Sequence, residues 1–387
     1  MNGLKSQFLL RPDITFLNFG SFGACPRPVF EAYQAFQLEL ENEPVHFIVN
    51  KGIAYLAEAR KALGHFIHCH PDDVVYVTNP GYAVNAVAKS FDLKPGDEVL
   101  TTQLEYGACD KTWNYYCKKS GARYVRQPVT LPLENKLKFV DELFAGLTTR
   151  TRLIFISHIT SSTALRFPVE EVCRRARESG IPVFIDGAHA PGQIQVDMEA
   201  LGVDMYTGAC HKWMMTPKGS SFLYVSKAWQ DRIDPLIISW GYDAMFPSHS
   251  RFLDYHQMNG SRDYSAFLAI PAAIEFMQQH DWVHVAANCR QLVKSNAMTL
   301  SEMLGSEPLA PLTDEYILQM YSTRIHTDEP ERLHDVLFEK YKIQIPVMRH
   351  EDEKYIRYSI NGFNDQQDLD LLFEALEDIK RNTNLIR

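Results

Sequence analysis

The 387-residue sequence has few of the features that mark membrane, secreted or nucleic-acid-binding proteins. No apolar run approaches the roughly 20 residues that a membrane-spanning helix needs. The opening segment MNGLKSQFLLRPD has neither a long hydrophobic stretch nor a small-residue cleavage site. Acidic residues outnumber basic ones, 48 to 39, so no cationic surface for phosphate backbones is expected. We therefore expect a cytoplasmic protein that binds neither membranes nor nucleic acid.

Cysteine is scarce and scattered. The seven cysteines include no C-x-x-C pair, and their odd number fits reduced thiols better than a disulfide framework. The segment HFIHCH (residues 65–70) has some metal-ligand character, but Pro71 ends it and no second cluster of matching spacing follows. A helix end that carries polar histidines explains the segment more simply, and we expect no metal site.

Glycine motifs for nucleotides are absent as well. Neither G-x-G-x-x-G nor G-x-x-x-x-G-K-[ST] occurs, which disfavours a dinucleotide or a nucleoside triphosphate as the ligand. A NAD-dependent enzyme is accordingly the weakest of the functions considered.

Hydrophobic residues make up 45% of the chain, enough for a large core. Between about residues 70 and 225, short β-branched runs alternate with amphipathic stretches, and several runs are apolar on both faces, as in a buried parallel sheet. The runs are DVVYVT, DEVLTT, ARYVRQP, TRLIFISH, IPVFID, VDMYTG and SSFLYV. After about residue 275, long helical patterns and the isolated strands YILQMYSTRI and YIRYSI predict a smaller α+β domain. The fold class is α/β.

Informative residues follow these strands, at the sheet edge where α/β proteins bind ligands. After VVYVT, the turn NPGYAV enters a helix whose free N–H groups suit a single phosphate monoester. Tyr106 follows VLTT and can lie flat on a ring. Asp186 ends IPVFID, where a buried carboxylate needs a cationic partner such as a protonated pyridine nitrogen. Lys212 lies among small and apolar residues in TGACHKWMMTPKG, and partial burial makes a lysine reactive toward an aldehyde, with which it forms a Schiff base.

A phosphate cup, a ring-stacking tyrosine, a strand-end aspartate and a strand-following lysine together predict pyridoxal 5′-phosphate as the cofactor. Each residue alone has an ordinary explanation: Lys212 as a surface lysine, Asp186 as a helix N-cap. Their order along the chain and their placement at strand ends favour the cofactor.

Eight segments spread over nearly the whole chain carry a family resemblance. They are FLNFGSFGACPRPV, ENEPVHFI, DDVVYVTNPGYAVNAV, EYGA, SHITSSTALRFPVEEV, IDGAHAPGQIQVDMEALGVDMYTGACHKWMMTPKGSSFLYV, NGSRDYSAF and IRYSINGFN. In this order they resemble the class V, cysteine desulfurase-like branch of the fold-type I pyridoxal-phosphate enzymes, and within it the isopenicillin N epimerase-like group. The resemblance implies the fold-type I transferase fold, with a mainly parallel seven-stranded sheet in a large domain (residues 18–274) and a small domain (residues 1–17 and 275–387).

The resemblance also implies roles for individual residues. Lys212 is the lysine that forms the aldimine with the cofactor, and Arg357 clamps the α-carboxylate of the substrate in a pocket that Asn18 also lines. The implied cofactor contacts are Asp186 at the pyridine nitrogen, His189 at the phenolic oxygen, Tyr106 and Ser161 at the ring, and Gly81, Tyr82 and His211 at the phosphate.

A second subunit is implied by the segment GSRD (residues 260–263), which resembles the one that reaches across the dimer in this family. We therefore expect a homodimer in which Ser261 contacts the cofactor of the neighbouring subunit. Two departures reduce the side-chain donors at the phosphate: Ala209 replaces a polar residue of the family, and Pro80 stands in a turn that is usually polar. Backbone donors, Thr207 or Ser261 must then carry more of that contact.

The implied activity is chemistry at the α-carbon of an amino acid or small aminoacyl compound, with Lys212 as the general base. Epimerisation, transamination and β-elimination share the first steps, and no residue selects among them. Persulfide-forming desulfuration is disfavoured, because Cys289, in a helical pattern, is the one cysteine after Cys210. The alternative from another functional class is a protein of the same fold that has lost turnover and serves as a binding or scaffold subunit.

Overall fold

The computed structural model describes residues 3–387. Its strands, in chain order, are β1 (Thr15–Phe16), β2 (Val74–Val77), β3 (Glu98–Thr102), β4 (Arg123–Gln127), β5 (Thr151–Ser157), β6 (Val183–Asp186), β7 (Met205–Gly208), β8 (Ser221–Val225), β9 (Met320–Arg324), β10 (Ile343–Gln344), β11 (Val347–His350) and β12 (Glu353–Ser359).

The α-helices are interleaved with these strands. They are α1 (Phe19–Phe22), α2 (Arg27–Asn42), α3 (Gly52–Phe66), α4 (Pro80–Ser90), α5 (Gly107–Ser120), α6 (Lys136–Phe144), α7 (Val169–Glu178), α8 (Met198–Leu201), α9 (Lys227–Gln230), α10 (Arg251–Gln257), α11 (Ser265–Leu268), α12 (Ile270–Gln279), α13 (Trp282–Met303), α14 (Pro330–Glu339) and α15 (Gln366–Asn382). A π-helical stretch, His46–Lys51, precedes α3.

Seven strands form the central sheet, in the order β2-β8-β7-β6-β5-β3-β4. Strand β8 runs antiparallel to both of its neighbours, and the other pairs are parallel. Every residue of β2, β3, β6, β7 and β8 is buried, because helices cover both faces of the sheet. The predicted mainly parallel seven-stranded α/β fold is confirmed.

The chain order reverses between β3 and β5. From β3 the chain moves outward to β4 at one edge of the sheet, whereas from β5 it moves through β6 and β7 in the other direction. At such a reversal the loops after the two strands diverge and leave a crevice at the carboxyl ends of the strands. The ends of β3, β5 and β6 therefore define where a ligand is expected.

The C-terminal part contains a three-stranded antiparallel sheet of order β11-β12-β9, backed by α13. The sequence pattern predicted isolated strands here, and that detail was wrong, because YILQMYSTRI and YIRYSI pair with each other. Strand β11 was not predicted, because its sequence, VMRH, is short and lacks an alternating apolar pattern.

We propose a division into a large domain, residues 18–274, and a small domain, residues 1–17 and 275–387. The parallel pairing of β1 with β10 supports it, because Thr15 and Phe16 lie beside Ile343 and Gln344 rather than beside the central sheet. Within residues 3–387, no helix is both long enough and apolar enough to cross a membrane.

Candidate active site

Asp186, the last residue of β6, is the buried acid of the crevice. Its Oδ1 atom accepts a hydrogen bond from the backbone N–H of Ala188 at 3.0 Å, and its Oδ2 atom accepts one from the thiol of Cys109 at 3.5 Å. The side chain is buried, and burial raises the pKa of Asp186 although Lys212 opposes this shift. A cation placed against this carboxylate would therefore be strongly stabilised.

The turn after Asp186 is shaped by a close approach. A Cβ atom on Gly187 would lie 2.1 Å from the ring of Tyr206, so only glycine fits between β6 and the neighbouring strand β7. This turn places His189 just beyond the carboxyl end of β6, and the side chain of His189 is buried.

Lys212 and His189 are in direct contact. The Nζ atom of Lys212 lies 3.2 Å from Nε2 of His189, and the indole N–H of Trp213 donates to Nδ1 of the same imidazole at 3.3 Å. Burial and the nearby charge of Lys212 hold the pKa of His189 well below its usual value, so the ring is neutral. Because Nδ1 accepts from Trp213, the proton of this neutral ring is assigned to Nε2, which can donate to the amine of Lys212 whenever that amine is unprotonated.

Burial also lowers the pKa of Lys212, from 10.5 to about 8, although Asp186 favours the charged form. An amine is nucleophilic only when it is unprotonated. The environment therefore keeps this lysine reactive at a pH where an exposed lysine is almost fully protonated.

The rate at which cofactor-free protein takes up pyridoxal phosphate is expected to follow this pKa. Because the unprotonated fraction rises up to the pKa, the rate should increase about tenfold per pH unit below pH 8 and level off above it. Stopped-flow absorbance measures the rate, and Nα-acetyl-lysine with the same aldehyde is the control for titration of the cofactor itself. A rate that rises in parallel with the control up to pH 10 would contradict the prediction.

The start of α4 lies after β2, as expected for a phosphate site. The side chain of Asn79 caps this helix by accepting the N–H of Tyr82 at 2.9 Å, so that predicted backbone donor is already engaged.

His211 is the second predicted phosphate neighbour. Its Nδ1–H donates to the carbonyl of Ser220 at 2.9 Å, and burial lowers the pKa of His211 to about 4. A phosphate dianion beside His211 would raise that pKa and favour the protonated ring.

Arg357, on β12, is a buried guanidinium without a carboxylate partner among residues 3–387. It is 1% exposed; Nη1 donates to the carbonyl of Ser161 at 2.5 Å and Nη2 to the hydroxyl of Ser21 at 3.3 Å. Its Nε atom has no hydrogen-bond partner in the described part of the chain, and burial lowers its pKa to about 10. Ser21 in turn donates to Oδ1 of Asn18 at 2.5 Å. A free carboxylate is the ligand that this arrangement lacks.

The N-terminal segment packs directly on the lysine. Gly23 has a φ of 65°, and a Cβ atom there would lie 2.3 Å from the carbonyl oxygen of His211 and 2.9 Å from Cα of Lys212. Lys218 donates to the carbonyl of Gly23 at 3.2 Å and fixes the same loop. Glycine is therefore required at position 23.

The structure brings together most of the residues that the sequence predicted for this site. Lys212 contacts His189 and lies close enough to Asp186 for its charge to affect the pKa of that carboxyl, while Arg357 contacts Ser161 directly and Asn18 through Ser21. The exposed ring of Tyr106 follows β3, close enough to Arg357 and Asp186 for their charges to shift its pKa. Gly81 lies at the first turn of α4. Ser261 is exposed and makes no side-chain hydrogen bond to these residues within positions 3–387.

Sequence reasoning missed four neighbours of the site. They are Ser21, Glu105, Cys109 and Trp213. Trp213, Ser21 and Glu105 lie inside segments that carried the family resemblance, so their position was a usable signal. Nothing in the pattern EYGACD indicates that its glutamate and cysteine point inward.

The histidine-rich segment 65–70 has a local structural explanation. His68 contacts Asp197 with its Nδ1 atom at 3.0 Å, and the imidazole of His70 accepts the backbone N–H of Asp72. The segment thus spans the end of α3, where His70 caps the short turn Pro71–Asp73 and His68 pairs with Asp197.

The donor set fits pyridoxal 5′-phosphate. Asp186 is a buried carboxylate without a salt-bridge partner in residues 3–387, Tyr106 presents a ring that is 52% exposed, and a helix start lies at the phosphate end. Lys212 supplies a reactive amine in contact with His189 and within range of the charge of Asp186. The fold and the site together define a fold-type I pyridoxal-phosphate enzyme.

Comparisons with known proteins assign the family. Residues 23–372 match the profile of the family described as "Aminotransferase class-V". Isopenicillin N epimerase of Amycolatopsis lactamdurans is 32% identical, over 97% of this chain and 98% of its own. A probable chloroplastic L-cysteine desulfhydrase of Arabidopsis thaliana is 26% identical, over 96% and 84%. A solved mutant of C-DES with glycine covalently linked to its PLP cofactor has a TM-score of 0.82 at 23% identity, over 97% and 99%.

The chain belongs to the class V aminotransferase family, and within it is similar to isopenicillin N epimerase. It is an enzyme of that family, and its cofactor is pyridoxal 5′-phosphate. These relatives do not favour the alternative of an inactive scaffold subunit.

Proposed function

We propose that this enzyme removes the α-proton of an amino acid or small aminoacyl substrate, with Lys212 as the proton acceptor. The observation that carries the proposal is the contact of Lys212 with a neutral His189, 3.2 Å away. The same crevice contains Asp186 and Arg357, a buried guanidinium that has no carboxylate partner within residues 3–387. An acid, a base and a carboxylate receptor thus converge on one small space.

Four groups of this chain would hold the cofactor. Asp186 would pair with the ring nitrogen, Tyr106 would cover one face of the ring, and the start of α4 with His211 would hold the phosphate. When bound, pyridoxal phosphate would supply an electron-withdrawing ring that acidifies the α-proton of an amino acid attached to it in place of Lys212.

Lys212 is suited to proton transfer because burial lowers the pKa of its amine to about 8, so a much larger fraction is unprotonated near neutral pH than in an exposed lysine. The Nε2–H of His189 orients this amine, and it is also the donor available for the phenolic oxygen of the cofactor. Trp213 holds the imidazole in the required tautomer.

Arg357 would orient the substrate. The bond from Nη1 to Ser161 and the bond from Nη2 to Ser21 fix the plane of the guanidinium before any ligand arrives. A preorganised, desolvated guanidinium binds a carboxylate through parallel hydrogen bonds and sets the position of the α-carbon next to Lys212.

The step after α-proton removal stays open among epimerisation, transamination and β-elimination. The two relatives are named for different reactions, epimerisation of isopenicillin N and desulfhydration of L-cysteine. Transfer of sulfur through an enzyme cysteine is disfavoured, because Cys210 and Cys289 are both fully buried and burial raises the pKa of each thiol to about 12.

Exchange of the α-proton with solvent tests the proposal whichever of the three reactions follows. Holoenzyme is incubated in D₂O with single amino acids and aminoacyl peptides, and proton NMR follows loss of the α-proton signal. At least one substrate class is expected to exchange or to be consumed. Chiral analysis, pyruvate release and the pyridoxamine spectrum then identify the reaction. Holoenzyme that exchanges no α-proton in any tested amine would overturn the proposal.

We also propose a homodimer with shared sites, in which Ser261 contacts the cofactor of the neighbouring subunit. The segment 235–246 supports this arrangement, because Trp240, Met245 and Phe246 are 79%, 81% and 84% exposed. This segment is tied to the region of Ser261 by the hydrogen bond from the N–H of Gly241 to the carbonyl of Met258. Three large apolar side chains exposed in one segment are typical of a surface that a second subunit covers.

Replacing Phe246 with aspartate is expected to dissociate the dimer, since burial of a charge in an apolar contact is costly. Light scattering should then report one 44.4 kDa chain instead of two, and the affinity for pyridoxal phosphate should fall at least about tenfold. The matched control is Val283→Asp on α13, which is 81% exposed, lies outside the segment 235–246 and should leave both unchanged. A Phe246→Asp variant that remains dimeric would exclude this segment from the interface.

A further inference from the structure

The central sheet opens between β3 and β5. Their pairing runs from Glu98 and Thr151 to Leu100 and Ile154, where it stops. Strand β3 continues beside β4 as far as Thr102, and β5 continues beside β6 as far as Ser157, which pairs with Asp186. The backbone N–H of Ser157, at the carboxyl end of β5, therefore has no partner on β3, and another group must accept this hydrogen bond.

The carboxyl group of Glu105 fills this opening. Its Oε2 atom accepts the backbone N–H of Ser157 at 2.8 Å and the hydroxyl of Ser157 at 2.6 Å, while Oε1 accepts the hydroxyl of Thr102 at 2.7 Å. Glu105 is 1% exposed, so water does not compete for these bonds. One side chain thus replaces the missing strand pairing and joins the carboxyl ends of β3 and β5.

This link lies immediately before the ring-covering residue. Tyr106 follows Glu105 in the chain, and α5 begins one residue later, with Cys109 bonded to Asp186. The short loop that carries Tyr106 is therefore held at two points: by Glu105 on Ser157, and by Cys109 on the acid of the crevice. Both anchors connect it to adjacent strands β5 and β6.

The anchoring does not depend on a negative charge at position 105. Burial raises the pKa of Glu105 to about 8, with a further contribution from the charge of Asp186. A glutamine could keep its carbonyl oxygen on the N–H of Ser157 and donate its amide to the hydroxyl oxygen of Thr102. An alanine would leave the N–H of Ser157 buried and unpaired.

We propose that Glu105 is a positioning residue for the cofactor ring: its carboxyl group holds the loop after β3 against Ser157, so that Tyr106 stays beside Asp186. The inference rests on the proposed cofactor site and assigns to it a residue that touches neither cofactor nor substrate. It predicts that Glu105 acts through Tyr106, and that geometry rather than charge is what matters.

The test is a double-mutant cycle on cofactor affinity. Pyridoxal phosphate is titrated into cofactor-free wild type, Glu105→Ala, Tyr106→Ala and the double variant, with binding and visible circular dichroism recorded for each. Each single variant is expected to bind about tenfold more weakly, and the double variant no more than about threefold more weakly than either. Glu105→Gln should stay within about threefold of wild type and keep its dichroism.

Two variants separate positioning from general stability. Glu98 is also buried on β3, but at the opposite end of the sheet, where its carboxylate accepts from Thr148 and Arg150. Glu98→Ala should lower the melting temperature while leaving cofactor affinity unchanged. If Glu105→Ala does not fold, Ser157→Ala removes only the 2.6 Å hydroxyl bond and should weaken binding about threefold.

The outcomes are distinguishable. Glu105→Ala with wild-type affinity and dichroism, or losses that simply add to those of Tyr106→Ala, would overturn the inference and leave the proposed function intact. The same holds if Glu105→Gln is as impaired as Glu105→Ala. Wild-type protein that does not bind pyridoxal phosphate would instead overturn the proposed function.

Discussion

Replacing Lys212 with alanine is expected to reduce turnover by at least about 10³-fold, because it removes both the covalent attachment point and the proton acceptor. Borohydride reduction followed by intact-mass measurement should show a phosphopyridoxyl adduct on wild-type protein and none on the variant. The variant should still bind the cofactor without a covalent bond, since Asp186, Tyr106 and the start of α4 remain. Solvent exchange of the substrate α-proton should become undetectable.

Lys218 provides the matched control. It lies six positions further along the same segment; its side chain is more exposed than that of Lys212, but burial lowers the pKa of its amine as well. Its amine, however, donates to the carbonyl of Gly23 rather than contacting His189. Lys218→Met should therefore keep the reducible adduct and the exchange activity. If the adduct instead disappears in Lys218→Met and survives in Lys212→Ala, the assignment of the reactive lysine is wrong.

Replacing Arg357 with glutamine is expected to reduce kcat/KM by about 10²- to 10³-fold, chiefly through KM. Loss of one partner of a desolvated charge pair typically costs about 2–5 kcal/mol. The affinity for pyridoxal phosphate should be nearly unchanged, because the guanidinium contacts Ser161 and Ser21 and not the predicted phosphate end. Steady-state kinetics and a cofactor titration separate the two effects.

Changing the substrate instead of the enzyme also tests whether Arg357 binds the α-carboxylate. An amine that lacks the α-carboxylate should react equally slowly with wild type and with Arg357→Gln, because neither can form the clamp. A variant that discriminates against the amine as strongly as wild type does would show that the carboxylate is recognised elsewhere.

The fold was predictable because its strands leave a strong local signal. Runs such as TRLIFISH and IPVFID are apolar on both faces, which only a covered parallel sheet requires. The pairing in the C-terminal sheet was not predictable in the same way, since β11 is short and lacks an alternating apolar pattern, and its partner was set by tertiary packing.

The site was predictable to the extent that its residues terminate strands. Asp186 and Lys212 could be proposed from their place after apolar runs, and Arg357 from the family resemblance alone, whereas the contact of Ser261 with a neighbouring cofactor stays a prediction. Glu105 and Cys109 could not be found, because their importance comes from the opening between two strands and the direction in which a helix begins. Nor could the sequence show that Asn79 already uses the N–H of Tyr82.

The N-terminal segment has a consequence for how the enzyme is made. The N–H of Gly20 bonds to Ser359, 339 positions later, and Ser21 bonds to Arg357. A growing chain on the ribosome therefore cannot assemble the proposed carboxylate site at Arg357 until nearly all of it has been translated. Activity should appear late and abruptly during synthesis, and a chain cut short before β12 would be inert however well its central sheet had folded.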